Sequence, residues 1–338
     1  MKKADAMQWT CRIALFMVIS LIFIGGLVRA TGAGLGCPDW PRCWGSWWPP
    51  ESAAAIPLEK INPAKIPAEF RAAPDPRVFF NKEKMWIEYL NRLWGVLAGF
   101  AVIAMVVAAM GRLRDKPLYF VLSFLTLLAM GFQGWLGALV VRSGLKQNMI
   151  TIHMAMALVI LALILITSWV AHGKQKLASG APAPVRRKLA ILAGLLLITT
   201  LGQVLGGTHV RELLDHVSDT RLDLSRSEWI DHVGFFDHFH RAFSWTVLLS
   251  AGGLWWIARR QWVPIAKRAR LAFNLVLVQI ALGISLAYFE LPPASQFLHL
   301  GVAAALGAVA FRLVLDFVPG QSPAPSDLHK VTAARPSP

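Results

Sequence analysis

Charge is scarce in this 338-residue chain: Asp, Glu, Lys and Arg together make up 16% of it, while 56% is hydrophobic. That balance excludes an ordinary soluble domain, in which about a quarter of the residues are charged. Acidic residues are scarcer still, 19 against 34 Lys and Arg, for a formal net charge of +15. Cysteine occurs three times, too rarely for a disulfide-rich scaffold, and no cluster of His or Cys stands near those three at zinc-like spacing. With a mean hydropathy of +0.52, the solvent this composition fits is the bilayer.

What the chain does contain is long apolar runs. Crossing about 30 Å of hydrocarbon takes roughly 17 to 25 helical residues. Runs of that length are predicted at residues 10–28, 86–110, 117–141, 150–171, 189–209, 235–258, 271–290 and 295–318. An even number of spans puts both termini on one side. Lys2 and Lys3, Arg112, Arg114 and Lys116, Lys174, Lys176, Arg186, Arg187 and Lys188, and Arg259, Arg260, Lys267, Arg268 and Arg270 all gather on that side. Basic connections mark the cytoplasmic face, so both termini are predicted inside. This grouping accounts for the net charge without nucleic acid, which would require a basic surface on a soluble domain. The first apolar run, from Ile13 to Val28, is long for the core of a cleaved leader and is read as a retained span.

The chain reads as one pattern written twice. Glu88-Tyr89-Leu90-Asn91-Arg92 opens the second span and Asp237-His238-Phe239-His240-Arg241 the sixth, sharing acid-x-x-(Asn/His)-Arg. Gln133-Gly134-Trp135-Leu136-Gly137 matches Gln279-Ile280-Ala281-Leu282-Gly283, and each Gln precedes a His, His153 or His299, by twenty residues. The Gly25 to Arg29 end of the first span corresponds to Gly206 to Arg211 at the end of the fifth. The expected fold is therefore all-α and membrane-integral, with eight transmembrane helices as two tandem four-helix bundles. Halves with an even number of spans share orientation, which gives a pseudo-two-fold axis along the membrane normal. The expected organisation is an N-terminal half at 1–171, a cytoplasmic linker at 172–188, a C-terminal half at 189–318 and a disordered cytoplasmic tail at 319–338.

The halves differ in their outer connections. Residues 30–84 form a long segment with seven prolines between Pro49 and Lys84, and local helical pieces are expected there. Its counterpart at 210–234 is shorter and acidic. Cys37 and Cys43, with five residues between them in the long outer loop, can form a disulfide in an oxidising space or stay as a reduced or metal-binding pair.

Asn91, His153, His240 and His299 all fall near the outer ends of their spans, at one depth. Polar groups inside a membrane are costly unless paired or functional, and imidazoles on facing helices are a usual way for a bundle to grip haem iron. His240 and His299 read as an axial pair. The bland alternative, histidines at headgroup level, is outweighed by recurrence at equivalent positions, which His172, His209, His216, His232, His238 and His329 do not show. Arg29, Arg92, Arg211 and Arg241 close or follow these positions, and a guanidinium fork suits a haem propionate. Glu88 lies one helical turn before Asn91 on the same face, placed to move protons near a haem edge.

These residues resemble the haem A synthase family. The resemblance is carried by the stretch from Gly26 to Pro41 with its Cys37-Pro38-Asp39-Trp40-Pro41 end, by Glu88 to Arg92, by Ile150-Thr151-Ile152-His153, by Gly206 to Asp215, and by His240-Arg241 and His299. It implies oxidation of the C8 methyl of haem O to a formyl group by successive hydroxylations and loss of water, in the bacterial inner membrane. It implies haem b as cofactor on His240 and His299, with Arg241 and Arg211 beside it. It implies haem O in the first half near His153, Asn91, Arg92 and Arg29, with Glu88 as the catalytic carboxylate. It also implies that Cys37 and Cys43 are the family's outer-loop cysteine pair. The expected partners are haem O, a haem O synthase or oxidase assembly factors, and a second copy of the chain; no motif specifies the electron donor.

One position departs from the family pattern. Asn91 stands where a His is expected before Arg92, and a carboxamide is a poor ligand for haem iron, so the substrate iron is expected on His153 alone or with water. Two rivals share the composition: a cytochrome b-like electron-transfer subunit, and a haem carrier or oxidase assembly factor. Against carriage, no span is broken mid-membrane and the polar positions gather at one depth instead of lining a path.

Overall fold

The computed structural model describes residues 3–114, 116–171, 182–261 and 265–318. Lys2, His172, Lys174, Lys176, His329, residues 172–181 of the expected 172–188 linker and the tail at 319–338 lie outside the described residues, whereas residues 183–188 are helical.

Among the described residues the chain is helical, with no strand. The long helices are α1 (Lys3–Ala30), α3 (Lys82–Met110), α4 (Pro117–Arg142), α5 (Gln147–Ala171), α6 (Ala183–Thr220), α7 (Phe235–Arg260), α8 (Ala266–Tyr288) and α9 (Pro293–Leu315), with the short α2 (Ala68–Ala72) in the outer loop. Starts follow local chemistry. Asn81 caps α3 by accepting from the amide of Lys84, and prolines open α4 and α9, where their missing N–H costs nothing.

Seven of these helices are long and apolar enough to cross a membrane. α7 is not among them, because Asp237, His238, His240 and Arg241 at one end and Arg259 and Arg260 at the other dilute its apolar run. The outward faces are apolar, with Phe100, Val107, Leu128, Ile198 and Leu249 each more than half exposed. Such faces suit lipid and not water.

Packing repeats between the halves. α3 and α5 each pack against both α1 and α4; α7 and α9 each pack against both α6 and α8. Each set forms a ring of four in which α3 faces α5, and α7 faces α9, across the centre. α1 against α9 joins the rings, and there Gly301 takes the ring of Phe23 directly against its backbone, where any Cβ would collide. Lipid removes the hydrophobic drive between helices, so close approach over small residues supplies the packing. The second core follows this rule, with Ala193, Ala251, Ala258, Ala272 and Ala310 buried between helices.

Two local features differ from expectation. The fifth span was expected to end near 209 and to be followed by loop, but α6 runs on to Thr220. Val210, Leu213, Leu214 and Val217 continue its apolar stripe; the first three pack with Val233, Trp229, Ile230 and Leu291, and Val217 is buried. The outer loop is indeed made of short helical pieces, yet these share a core. Ile56, Ile61 and Ile66 each follow a three-residue 3-10 turn and are buried together with Trp44 and Phe70. Trp44 packs 5.8 Å from the rings of both Phe70 and Phe80.

Candidate functional site

The ring arrangement places Asn91 and His153 on helices of the first ring and His240 and His299 on helices of the second. His240 on α7 and His299 on α9 lie on the two helices that each pack against α6 and α8 in the second ring. His240 rests on α6 at Gly206 and Gly207, where an added Cβ would stand 3.1 Å from its Cε1. Gln203, one turn earlier on α6, donates to the carbonyl of His240 at 2.9 Å. Both histidines keep a buried Nδ1 without a partner. Bared imidazoles on diagonal helices, seated on glycine, fit a haem held by two nitrogens. Asp237 meets Arg241 at 2.6 Å, and Arg241, 40% exposed, lies over the Tyr288 ring at 5.8 Å. His238, dismissed on the sequence, is 80% exposed.

The first ring is built to the same plan with different contents. Asn91 lies on α3 and His153 on α5, the two helices that each pack against α1 and α4. Glu88 is buried and meets Arg92 at 2.9 Å, the same i,i+4 pairing as Asp237 with Arg241. Arg92 was read as a propionate dock, but its remaining donors go to the outer loop: Nη2 to the carbonyl of Cys37 at 2.6 Å, and Nη1 to those of Asp39 at 2.6 Å and Arg42 at 2.9 Å. Cys37 and Cys43 are joined as a disulfide, which closes the loop those carbonyls belong to. Inside it the Asp39 carboxylate accepts from the amides of Trp44 at 2.6 Å and Gly45 at 2.9 Å, and the Trp44 indole donates to Gly36 at 2.7 Å. The disulfide loop is thus fastened directly above Glu88.

Arg29 and Arg211, expected beside the two haems, are brought together instead. Arg29 Nη2 meets Asp215 Oδ2 at 2.8 Å and Gln147 at 3.0 Å, while Arg211 meets Asp215 Oδ1 at 2.8 Å and Gln296 at 2.6 Å. Asp215 was not singled out on the sequence as a site residue; its position four residues after Arg211 was the available signal. Gln133 and Gln279 were noted only as marks of duplication, and Gln203 was not noted.

The sequence model of a family described as cytochrome oxidase assembly protein, COX15-CtaA, matches residues 8–311. The haem A synthase of Shewanella oneidensis is 26% identical over 328 aligned residues, covering 89% of this chain and 93% of its own length. That of Nitrosomonas eutropha is 28% identical over 308, covering 82% and 83%. That of Paracoccus denitrificans is 28% identical over 328, covering 88% and 83%.

Proposed function

The chain belongs to the cytochrome oxidase assembly protein family, and from that membership we infer that it is a haem A synthase, an oxidoreductase converting the C8 methyl of haem O to a formyl group. All eight long helices cross the bacterial inner membrane, as two four-helix units at 1–171 and 189–318 related by a pseudo-two-fold axis along the membrane normal. The repeated helix pairings support the two units, and the Lys and Arg clusters support cytoplasmic termini.

The observation that carries this reading is the unequal filling of two like rings. The second has two histidines and suits a resident haem b, which supplies electron transfer when bound. His240 and His299 would hold its iron, and Arg241, with part of its guanidinium exposed, its propionates. Arg211, already engaged by Asp215 and Gln296, frames the same end. The first ring has one histidine, His153, opposite Asn91, which leaves the haem O iron an open side. Glu88 stands one turn from Asn91. Arg92 engages its Oε1, and Oε2 is the atom left to take and return protons as the methyl gains oxygen twice and the resulting diol loses water. Arg92 itself acts as a fastener of the disulfide loop that shields this site from the outer space.

Mass analysis of haems extracted after expression with a haem O supply tests the reading. Haem A is expected with the native chain and none with Glu88→Ala, whose resident haem spectrum should persist. Unchanged haem O from the native chain would return it to a carrier, and intact haem spectra without any haem A to an electron-transfer subunit.

A further inference from the structure

The imidazole of His153 already has a companion. Gln133, on α4, places its side-chain nitrogen 3.1 Å from the carbonyl oxygen of His153 and 3.3 Å from its ring Nε2. The carbonyl can only accept, so it fixes which end of the amide faces it: the NH2 group, with two protons and no lone pair to offer. The second of those protons points at the ring. Nε2 must therefore accept, its lone pair turned to Gln133, and the ring proton sits on Nδ1, which is buried and without a partner. Gly137, one turn further along α4, keeps the ring's other flank free of side chain, since even a Cβ would stand 3.4 Å from Cε1.

The second ring does not repeat this. Gln279 holds the corresponding place, but among the described residues no hydrogen bond joins its side chain to that of His299, and its Oε1 is buried and unpartnered. The glutamine that does reach a histidine there, Gln203, touches only the backbone of His240.

We propose that Gln133 is a positioning residue of the substrate site: it keeps His153 in the tautomer whose Nε2 lone pair can take iron, and it competes with that iron for the same lone pair. Binding of haem O swings one N–H of the amide off the ring while its bond to the carbonyl remains. Departure of the product lets the amide return. The site that must release its haem thus carries a built-in competitor; at the site that keeps its haem, among the described residues, no glutamine side chain bonds a histidine ring. This inference rests on reading His153 as the substrate's ligand.

The test is a spectral titration of haem O into full-length enzyme that already holds its resident haem. Gln133→Leu, which fills similar space without a donor, should bind haem O about fivefold more tightly, the change one neutral hydrogen bond carries, mainly through slower dissociation. Gln133→Asn, too short to reach the ring, should move the same way and serves if the Leu variant does not fold. Gln133→Glu should weaken binding, because a carboxylate accepts from Nε2–H and turns the lone pair to Nδ1. The resident haem's spectrum should not change in any of them. Affinity unchanged or lowered in both the Leu and the Asn variants overturns the proposal. His153→Ala separates the two readings: if it leaves haem O affinity intact, the assignment of His153 fails and this inference with it. If it abolishes binding while the Gln133 variants do nothing, only the inference fails.

Discussion

Arg29 and Asp215 lie in different halves of the chain and join them, Nη2 to Oδ2 at 2.8 Å. The other carboxylate oxygen takes Arg211, the residue that matches Arg29 in the repeat, at the same distance. One acid therefore balances two equivalent cations at the outer ends of α1 and α6. Position 33, which corresponds to Asp215 in the first half, is an alanine, so the bridge exists once and spans both units.

Removing that acid leaves two half-buried guanidiniums facing each other. Asp215→Ala is expected to lower the stability of the detergent-solubilised protein by about 1 kcal/mol, a value kept small because all three side chains remain partly exposed. Asp215→Glu should recover part of it. Thermal unfolding at two salt concentrations checks this, and an unaltered midpoint for the Ala variant would show that the bridge contributes nothing.

Arg92 bonds three loop carbonyls and Glu88 with one planar fork. Lys at this position keeps the charge but cannot match that geometry. With hydrogen bonds from charged donors worth roughly 1.5 to 3 kcal/mol each, Arg92→Lys should loosen the loop from Cys37 to Gly45. Limited proteolysis from the outer side should then cut this segment several-fold faster than in the native protein. Equal cutting rates would mean that the disulfide and Trp44 alone hold it.

Asn91 on α3 and His153 on α5 belong to the same ring of helices. Asn91→His should supply a second imidazole, converting bound haem O to a low-spin, six-coordinate state. Optical and electron-paramagnetic spectra of loaded enzyme read this directly. A spin state that does not respond to the substitution would place Asn91 away from the iron. Low-spin, six-coordinate iron at both sites of the native enzyme would eliminate the open position.

His240→Ala and His299→Ala should each strip the resident haem from the purified protein. His153→Ala should leave that haem's spectrum in place and abolish haem A formation. Loss of the resident spectrum in the His153 variant alone would reverse the assignment of the two halves.

The sequence by itself determined where the long helices lie and which residues share a depth. Helical span and register are local properties: the apolar run from Gln147 to Ala171 sets a helix regardless of its neighbours, and spacing from its start sets the depth of His153. Duplication then paired His153 with His299, because the same twenty-residue spacing from a Gln recurs. The repeated acid-x-x-(Asn/His)-Arg motif put Glu88 with Arg92 and Asp237 with Arg241 at i,i+4, but that they pair with each other is what the structure adds. What only the tertiary structure decided is which side chains meet across helices. That Arg92 holds the disulfide loop rather than standing free, that Asp215 reaches Arg29, and that Gln133 engages the ring of His153 depend on contacts between residues 20 to 186 positions apart. No periodicity encodes such contacts, since they follow from how one ring of helices is rotated and packed against the next. The core of the outer loop lies between these cases: isoleucines at 56, 61 and 66 recur every five residues, a period belonging to neither helix nor strand, and acquire meaning only once three short turns wrap them around Trp44.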